Sequence, residues 1–240
     1  MGGTTEAAAL AGALVGWPGL RVITSLAGRT RKPGSLPGET RTGGFGGVDG
    51  LVRYLEGQSI DALIDATHPF AEGMAANATL AAQRAGIPRL RLLRPPWEKQ
   101  AGDDWIEVAD AAAAAAVLPG LARRVFLTSG HRDLDMFTKL DSIWFLIRTI
   151  EPVAGLQPRQ VLCIAARGPF DENDETALLE KHQIEALVTK ASGGHSTYAK
   201  IAAARRLNLP VIMIDRPPPP PGPLVHHTDA AQTWLRQVTA

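Results

Sequence analysis

Short runs of consecutive apolar residues alternate with alanine- and leucine-rich stretches along most of this chain. Apolar runs of this length are typical of strands buried on both faces, and the stretches between them favour helices. The predicted strands are 20–25, 62–66, 90–93, 125–128, 145–150, 161–165, 186–189 and 211–214. The predicted helices are 5–15, 48–58, 71–85, 109–118, 173–182, 197–207 and 229–238. Strands that alternate with helices predict an α/β protein with parallel sheets.

One interruption divides the alternation into two series. The stretch from Arg94-Pro95-Pro96-Trp97 to Gly102 carries neither pattern, and a new series opens at Val125. We place the boundary after the alanine-rich helix, with a first domain at 1–118 and a second at 119–240. The fold predicted is two Rossmann-like doubly wound parallel-sheet domains with a cleft between them.

Composition narrows the choice of function. The 240 residues carry a net charge of +1, which gives no basic field for nucleic acid. Cys163 is the only cysteine, so the chain forms no internal disulfide, and its apolar surroundings predict a buried core residue. No apolar run approaches the roughly 20 residues of a membrane helix. We expect a cytoplasmic protein with no membrane partner and no bound metal.

A glycine-rich segment opens the chain. Gly2-Gly3-Thr4-Thr5 precedes a helix, so glycine backbone, threonine hydroxyls and free helix N–H groups can converge on a phosphate. A helix cap without a ligand is the alternative. A dinucleotide fold needs a central strand before such a loop, and only Met1 precedes this one. We therefore expect the natural protein to begin several residues earlier with a short apolar segment.

The turn after the first predicted strand indicates which dinucleotide binds. It carries Ser25, Gly28, Arg29 and Thr30 about 20 residues beyond the glycines, where a Rossmann fold contacts the adenosine ribose. Asp or Glu at this place would favour NAD, whereas cations and hydroxyls suit the 2′-phosphate of NADP. A solvated basic turn is the alternative.

Two further loops belong to the predicted cofactor site. Gly43-Gly44-Phe45-Gly46-Gly47 is a backbone that a ligand can approach closely, or else a plain flexible loop. The turn Thr67-His68-Pro69 follows the strand that ends near Asp65, at the edge where open α/β sheets bind ligands. His68 and Asp65 could transfer protons, and a helix cap with a structural histidine is the alternative.

These motifs, together with Asp-Ala-Thr-His-Pro-Phe-Ala from Asp65 and the Arg94-Pro95-Pro96-Trp97 segment, resemble the precorrin-6A reductase family of cobalamin biosynthesis. The resemblance continues through Ala166-Arg167-Gly168-Pro169-Phe170, the segment from Val188 to Gly194, Thr197-Tyr198-Ala199-Lys200 and Arg216-Pro217-Pro218. It therefore spans nearly the whole chain. It implies an NADPH-dependent reduction of one double bond in precorrin-6A, giving precorrin-6B, in a two-domain α/β enzyme.

The resemblance also assigns a tetrapyrrole site. Its substrate is a flat apolar ring fringed with carboxylates, which cations, hydroxyls and amides at strand ends would bind. The expected substrate residues are Trp97, Arg167, Lys190, Ser192, Gly193, Gly194 and Lys200. The proton that accompanies hydride addition has four candidate donors, His68, Lys190, Tyr198 and Lys200, besides substrate and water.

Two other functions stay open at this point. A non-catalytic NADP-sensing module would need the first half but not the cations of the second. A reductase of a related, cobalt-containing tetrapyrrole would share every motif. As partners we expect the tetrapyrrole and other enzymes of the pathway, for a monomer or small homo-oligomer.

Overall fold

The structure is a computed structural model that describes residues 1–28, 36–152 and 158–239. Its strands are β1 (Ile23–Leu26), β2 (Glu39–Thr42), β3 (Leu63–Asp65), β4 (Arg89–Leu92), β5 (Trp105–Val108), β6 (Arg124–Leu127), β7 (Trp144–Thr149), β8 (Val161–Ala165), β9 (Ala186–Lys190), β10 (Val211–Ile214) and β11 (Leu224–Val225). Its helices are α1 (Thr5–Leu14), α2 (Val48–Gly57), α3 (Glu72–Arg84), α4 (Ala111–Val117), α5 (Glu172–Lys181), α6 (Ala199–Arg206) and α7 (Thr228–Val238). Each predicted strand and helix is present, with ends that differ by three residues at most.

The chain forms two compact units, and every strand pair among the described residues is parallel. Unit 1 contains Met1–Pro95 and Pro217–Ala240, and unit 2 contains Pro96–Arg216. The predicted α/β class with parallel sheets is confirmed. Within the described parts of the chain, no helix is long and apolar enough to cross a membrane.

Unit 1 is built around the first two residues. The sheets β2-β1 and β3-β4-β11 lie on either side of them. The Met1 nitrogen donates to Ile64 O at 2.7 Å, and Met1 O accepts from Ala66 N at 3.0 Å. On the other side, Gly2 N donates to Ser25 O at 2.9 Å. Residues 1 and 2 thus make the backbone contacts of a central parallel strand, and the apolar segment expected before Met1 stays a prediction.

Helices cover both faces of unit 1 because alternate side chains of its strands point in opposite directions. Leu63 packs with Leu51 and Leu55 of α2 and with alanines of α3. Its neighbour Ile64 packs against a different cluster, which contains Leu10 of α1 and buried residues of α7. This two-sided burial explains why the strands read as continuous apolar runs.

Unit 2 is a six-stranded parallel sheet in the order β5-β10-β9-β6-β7-β8. Phe126 and Leu187 pack on one face against Leu179 of α5 and Ile201 of α6. The adjacent Phe145 points the other way and meets Phe137, in the 3₁₀ helix His131–Phe137, with ring centroids 5.9 Å apart. The Asp110 side chain caps α4, as the sequence predicts, by accepting from Ala113 N at 2.8 Å.

The edge strands explain why the units meet after Pro95 and after Arg216, and not at residue 118. β5 follows β4 in the chain but pairs with β10, so residues 96–118 belong to unit 2. β11 follows β10 but pairs with β4, and α7 then packs against α1 in unit 1. Neither pairing has a signal in local sequence, because β5 and β11 are short and follow irregular segments.

The structure also corrects the sequence analysis on the number of strands and on the burial of Cys163. The sequence did not predict β2, β5 or β11. The residues of β2, Glu39–Thr42, are mostly exposed and polar. Cys163, predicted to be buried, is exposed because β8 is an edge strand of its sheet. The prediction failed since a short apolar run does not distinguish a central strand from an edge strand.

Candidate functional site

The carboxyl edge of unit 1 brings two predicted loops together. From residues 1–2 the chain passes through α1 to β1, whereas from β3 it passes through α3 to β4 on the opposite side. Such a divergence is a topological switch point, the usual ligand site of an open parallel sheet. Here Thr4 Oγ1 donates to Ala66 O at 2.8 Å and accepts from Ala7 N at 3.1 Å. One hydroxyl therefore caps α1 and ties its start to the end of β3.

The loop itself has the backbone that a phosphate site requires. Gly3 has φ +108°, a conformation that other residues rarely adopt. A Cβ on Gly2 would lie 3.0 Å from Thr24 Cγ2, so the backbone passes close to β1. The first N–H groups of α1, which begins at Thr5, have no partner within the helix. Arg94 lies 3.2 Å from Glu6 and compensates the one acidic side chain of that first turn.

A buried ion pair holds the second loop. Asp65 is fully buried, and its Oδ2 lies 2.5 Å from Arg91 Nη1. The same guanidinium donates to Thr67 Oγ1 at 2.9 Å, while Asp65 Oδ1 accepts from Thr67 N at 3.1 Å. Asp65 is thus committed to Arg91 and the turn rather than exposed for proton transfer. Beside it, burial lowers the pKa of Arg89 below its ordinary value.

His68 and Pro69 follow in this turn. Pro69 is buried and His68 is half-buried. His68 Nδ1 accepts from Phe70 N at 3.2 Å, so the neutral imidazole carries its proton on Nε2. Nε2–H is therefore the group of His68 that can donate.

The ends of β1 and β2 carry the rest of the predicted cofactor site. Ser25 is paired in register with Arg41, whose guanidinium reaches the carbonyls of Gly43 and Gly44. Gly28, with φ +73°, approaches Thr42. Phe45 is half-buried and Gly46 is exposed. Arg29 and Thr30 lie outside the described residues.

Unit 2 has its own switch point, between β6 and β9. The chain leaves β6 towards β7 on one side and β9 towards β10 on the other. Lys190, the last residue of β9, lies 2.7 Å from Asp133 in the 3₁₀ helix. Ser192 and Gly193 follow it and are buried. The predicted substrate residues of this loop therefore converge at the edge where ligands bind.

Ser129 is a residue of this edge that the sequence analysis missed. Counting two residues on from the pair Leu127 and Val188 puts Ser129 beside Lys190. Ser129 is 5% exposed, and within the described chain its hydroxyl has no hydrogen-bond partner. A buried hydroxyl without a partner costs about 1–3 kcal/mol. The signal was available, since Ser129 follows a predicted strand just as Lys190 does.

Trp97 lies against the same loop. Its Nε1 donates to Gly194 O at 2.8 Å, and its ring lies 6.1 Å from that of Tyr198. Lys200 is 4% exposed, with its ammonium 4.9 Å from the Trp97 ring and donating to Thr197 O at 2.7 Å. These contacts give Lys200 and Trp97 a role in shaping the loop.

Tyr198 is held from its other side. Its hydroxyl accepts from Arg205 Nη2 at 2.6 Å, and Arg205 Nε lies 2.9 Å from Asp103 Oδ1. The hydrogen bond to Asp103 raises the pKa of Arg205, so this cation is permanent. The phenolic proton of Tyr198 stays available to a further acceptor.

Arg167 lies exposed in the loop between β8 and α5. That loop is fixed at Gly168, where a Cβ would lie 2.5 Å from Ser196 O. Phe170 stacks 3.7 Å from the guanidinium of Arg148, which forms a buried ion pair with Glu175 of α5. The loop therefore has a rigid base and an exposed cation at its tip. Among the described residues, no three His, Cys, Asp or Glu side chains gather to hold a metal.

The fold is that of an α/β protein with a glycine-rich loop at the switch point of unit 1 and a loop that follows Lys190 at the switch point of unit 2. The family model described as "CbiJ: Precorrin-6x reductase CbiJ/CobK" matches residues 1–236. The chain is 48% identical to the precorrin-6A reductase of Rhodococcus erythropolis, over 100% of this chain and 97% of the relative. It is 43% identical to that of Rhodobacter capsulatus, over 98% and 94%.

A solved structure titled CobK precorrin-6A reductase agrees, with a TM-score of 0.94 and 43% identity over 100% of this chain and 95% of that one. Weaker similarity, 30% identity over 70% of this chain and 69% of the relative, links it to the cobalt-precorrin-6A reductase of Priestia megaterium. This chain belongs to the precorrin-6x reductase CbiJ/CobK family and is an oxidoreductase.

Proposed function

We propose that the protein reduces one double bond of the precorrin-6A macrocycle with NADPH, giving precorrin-6B in cobalamin biosynthesis. The observation that carries the proposal is similarity to proteins named precorrin-6A reductase over at least 94% of each chain compared. An NADP-sensing module has no support, since the family is one of reductases. A hydride and a proton are added to the macrocycle, and NADPH becomes NADP⁺.

Unit 1 supplies a site that fits a dinucleotide, and we treat it as a Rossmann-like domain. Gly2 and Gly3 let the backbone approach the pyrophosphate, and the start of α1 at Thr5 offers N–H groups to it. Thr4 is already committed to capping α1 and to Ala66 O. When bound, NADPH supplies the hydride.

The adenosine end of the cofactor belongs at the ends of β1 and β2. Ser25, Gly28, Arg29 and Thr30 are proposed to contact the ribose and its 2′-phosphate. The turn 25–30 carries no Asp or Glu, which favours NADPH over NADH. The nicotinamide end then belongs near Thr67, His68 and Pro69, a turn that Arg91 holds through the Thr67 hydroxyl and the His68 carbonyl.

Unit 2 is proposed to hold the carboxylates of the macrocycle. Lys190 and Arg167 supply charge, and the hydroxyl of Ser192 and the amides of Gly193 and Gly194 supply neutral donors. To these we add Ser129, whose hydroxyl has no partner among the described residues. The Lys200 ammonium is bound to Thr197 O and contributes least to this set.

The proton donor is proposed to be His68 or Tyr198. His68 presents Nε2–H because its Nδ1 accepts from Phe70 N. Tyr198 can donate its O–H to a ligand, because its contact with Arg205 uses the hydroxyl oxygen as the acceptor. Lys190 shares its ammonium with Asp133, which favours a role in binding over one in proton transfer.

The degree of similarity favours the cobalt-free substrate. Relatives named precorrin-6A reductase match at 43–48% identity along nearly the whole chain. Those named cobalt-precorrin-6A reductase match at 30–35% over about 70% of it. We therefore propose precorrin-6A and not its cobalt complex as the physiological substrate.

Measuring NADPH oxidation with precorrin-6A and, separately, with cobalt-precorrin-6A tests this function. We expect one NADPH to be consumed per precorrin-6A reduced, and a lower kcat/KM with the cobalt complex. Absence of NADPH consumption with either substrate would overturn the proposal. A higher kcat/KM for the cobalt complex would overturn the choice of substrate alone.

A further inference from the structure

The glycine-rich loop 43–47 is held from two sides. Four of its five residues are glycine, a composition that would leave an isolated loop mobile. Arg41, in the adjacent strand β2, donates from Nη1 to Gly43 O at 2.6 Å and from Nη2 to Gly44 O at 2.7 Å. Because both nitrogens belong to one planar guanidinium, the two carbonyls are fixed relative to each other.

Aromatic contacts fix the position of that guanidinium. Its central carbon lies 3.9 Å from the centroid of the Phe45 ring and 5.0 Å from that of Tyr54, which belongs to α2. The two rings lie 5.2 Å apart. Arg41 is thus enclosed by the loop it binds and by the helix that follows the loop.

Gly50 of α2 holds the other side of the loop. A Cβ built on Gly50 would lie 1.6 Å from Phe45 O, a distance that no side chain tolerates. The loop therefore packs directly on the helix backbone. Gly57, also in α2, meets nothing within 4 Å and provides a matched control position.

Arg41 also connects this loop to the adjacent strand end. It is paired in register with Ser25, and its Nη1 lies 3.3 Å from Ser25 Oγ. Three parts of the predicted cofactor site thus contact the same guanidinium, namely Ser25, Gly43-Gly44 and Phe45. We propose that Arg41 is a positioning residue, which preorganises loop 43–47 and Ser25 for the dinucleotide without contacting the 2′-phosphate itself.

This inference rests on the proposed function, and it makes a distinctive prediction about cofactor choice. Both terminal nitrogens of Arg41 already donate to groups of the protein, Nη1 to Gly43 O and Ser25 Oγ and Nη2 to Gly44 O. Loss of Arg41 should therefore weaken NADPH and NADH by the same factor, whereas loss of a 2′-phosphate contact weakens NADPH alone. Lysine cannot bind two carbonyls in a fixed plane, so it should not restore affinity.

The experiment measures Kd for NADPH and for NADH by titration of wild type, Arg41→Ala, Arg41→Lys and Gly50→Ala. We expect Kd for both cofactors to rise about tenfold in the two Arg41 variants, which lose one or two charge-assisted hydrogen bonds. Kd for both should rise in Gly50→Ala as well, because the new Cβ displaces the loop at Phe45 O. The NADPH-to-NADH ratio should stay at the wild-type value, and KM for NADPH should rise while kcat holds. Gly57→Ala and Arg84→Ala, an exposed arginine of the same unit, should bind as wild type.

Two outcomes overturn the inference. If Arg41→Ala loses NADPH affinity selectively and Arg41→Lys restores it, Arg41 contacts the phosphate directly. If Arg41→Ala and Gly50→Ala bind both cofactors as wild type does, cofactor binding does not depend on how Arg41 and Gly50 hold loop 43–47. Failure of the wild-type protein to bind either cofactor would instead overturn the proposed function, and thermal unfolding of each variant verifies that it is folded.

Discussion

The two units arrange their strands alike but carry different chemistry at the switch point. Unit 1 has the order β2-β1-residues 1–2-β3-β4-β11, and unit 2 has β8-β7-β6-β9-β10-β5. In unit 1 the central segment leads through glycines directly into α1. In unit 2 the central strand β6 leads through Ser129 and Gly130 into a 3₁₀ helix.

This difference in the loops fits the two kinds of anion site that we propose. A helix that starts at a glycine loop presents backbone N–H groups to a phosphate. Unit 2 instead presents side chains, with Lys190 set by Asp133 and Ser129 beside it. Side-chain donors of this kind suit carboxylates at the rim of a larger ligand. We therefore propose that the same strand order supports a nucleotide site in unit 1 and a carboxylate site in unit 2, through a change of loop.

The largest expected effect concerns the ion pairs with both partners buried, of which the described residues of each unit contain one. We predict that Arg91→Met lowers the free energy of unfolding by about 3–5 kcal/mol, because it leaves Asp65 buried without its cation. It should also weaken NADPH binding, since Arg91 holds Thr67. Arg148→Met, which breaks the pair with Glu175 in unit 2, should cost comparable stability but spare NADPH binding in the folded fraction.

Urea unfolding and NADPH titration measure both quantities. Arg21→Met is the matched control, because its pair with Glu39 lies at the surface, where ion pairs contribute little. Equal loss of NADPH affinity in folded Arg91→Met and Arg148→Met would remove the distinction between the units.

The next effect concerns cofactor preference. We predict that Arg29→Ala raises Kd for NADPH by about ten- to a hundredfold and leaves NADH unchanged, because a charge-assisted hydrogen bond to the 2′-phosphate is lost. Titration of both cofactors measures it. Equal weakening of NADPH and NADH would refute the assignment of Arg29 and give it the role that we infer for Arg41.

A smaller effect is expected at Ser129. Ser129→Ala should raise Kd for precorrin-6A about fivefold, the value of one neutral hydrogen bond. It should not lower stability, because the hydroxyl has no partner in the described protein. Ser142→Ala, an exposed serine of the same unit, is the control. Wild-type affinity for precorrin-6A in Ser129→Ala would exclude Ser129 from the site.

The sequence predicted the elements of the fold better than their partners. Buried parallel strands such as β10 and helices with a cap, such as α4 after Asp110, carry local signals. The pairing of β5 with β10 and of β11 with β4 is a long-range choice between edges. For that reason the boundary at residue 118 followed the break in the pattern, although residues 96–118 belong to unit 2.

Residues of the candidate site could be predicted from the sequence when they lie in loops, but not when they lie within strands. Gly2, His68 and Lys190 follow predicted strands or open helices, so their positions indicated a site. Arg41 and Arg91 lie inside strands, and their partners Gly44 and Asp65 are known only once the backbone is folded. Positioning residues of this kind need three-dimensional contacts to be found.

We propose above that unit 1 binds the cofactor and that unit 2 binds the macrocycle. The most direct test titrates NADPH and precorrin-6A separately against Lys190→Ala and Arg167→Ala. We predict that Kd for precorrin-6A rises about tenfold or more in each variant, as expected for a lost hydrogen bond to a charged group, while Kd for NADPH stays at the wild-type value. A collapse of NADPH affinity with precorrin-6A binding intact would contradict the account.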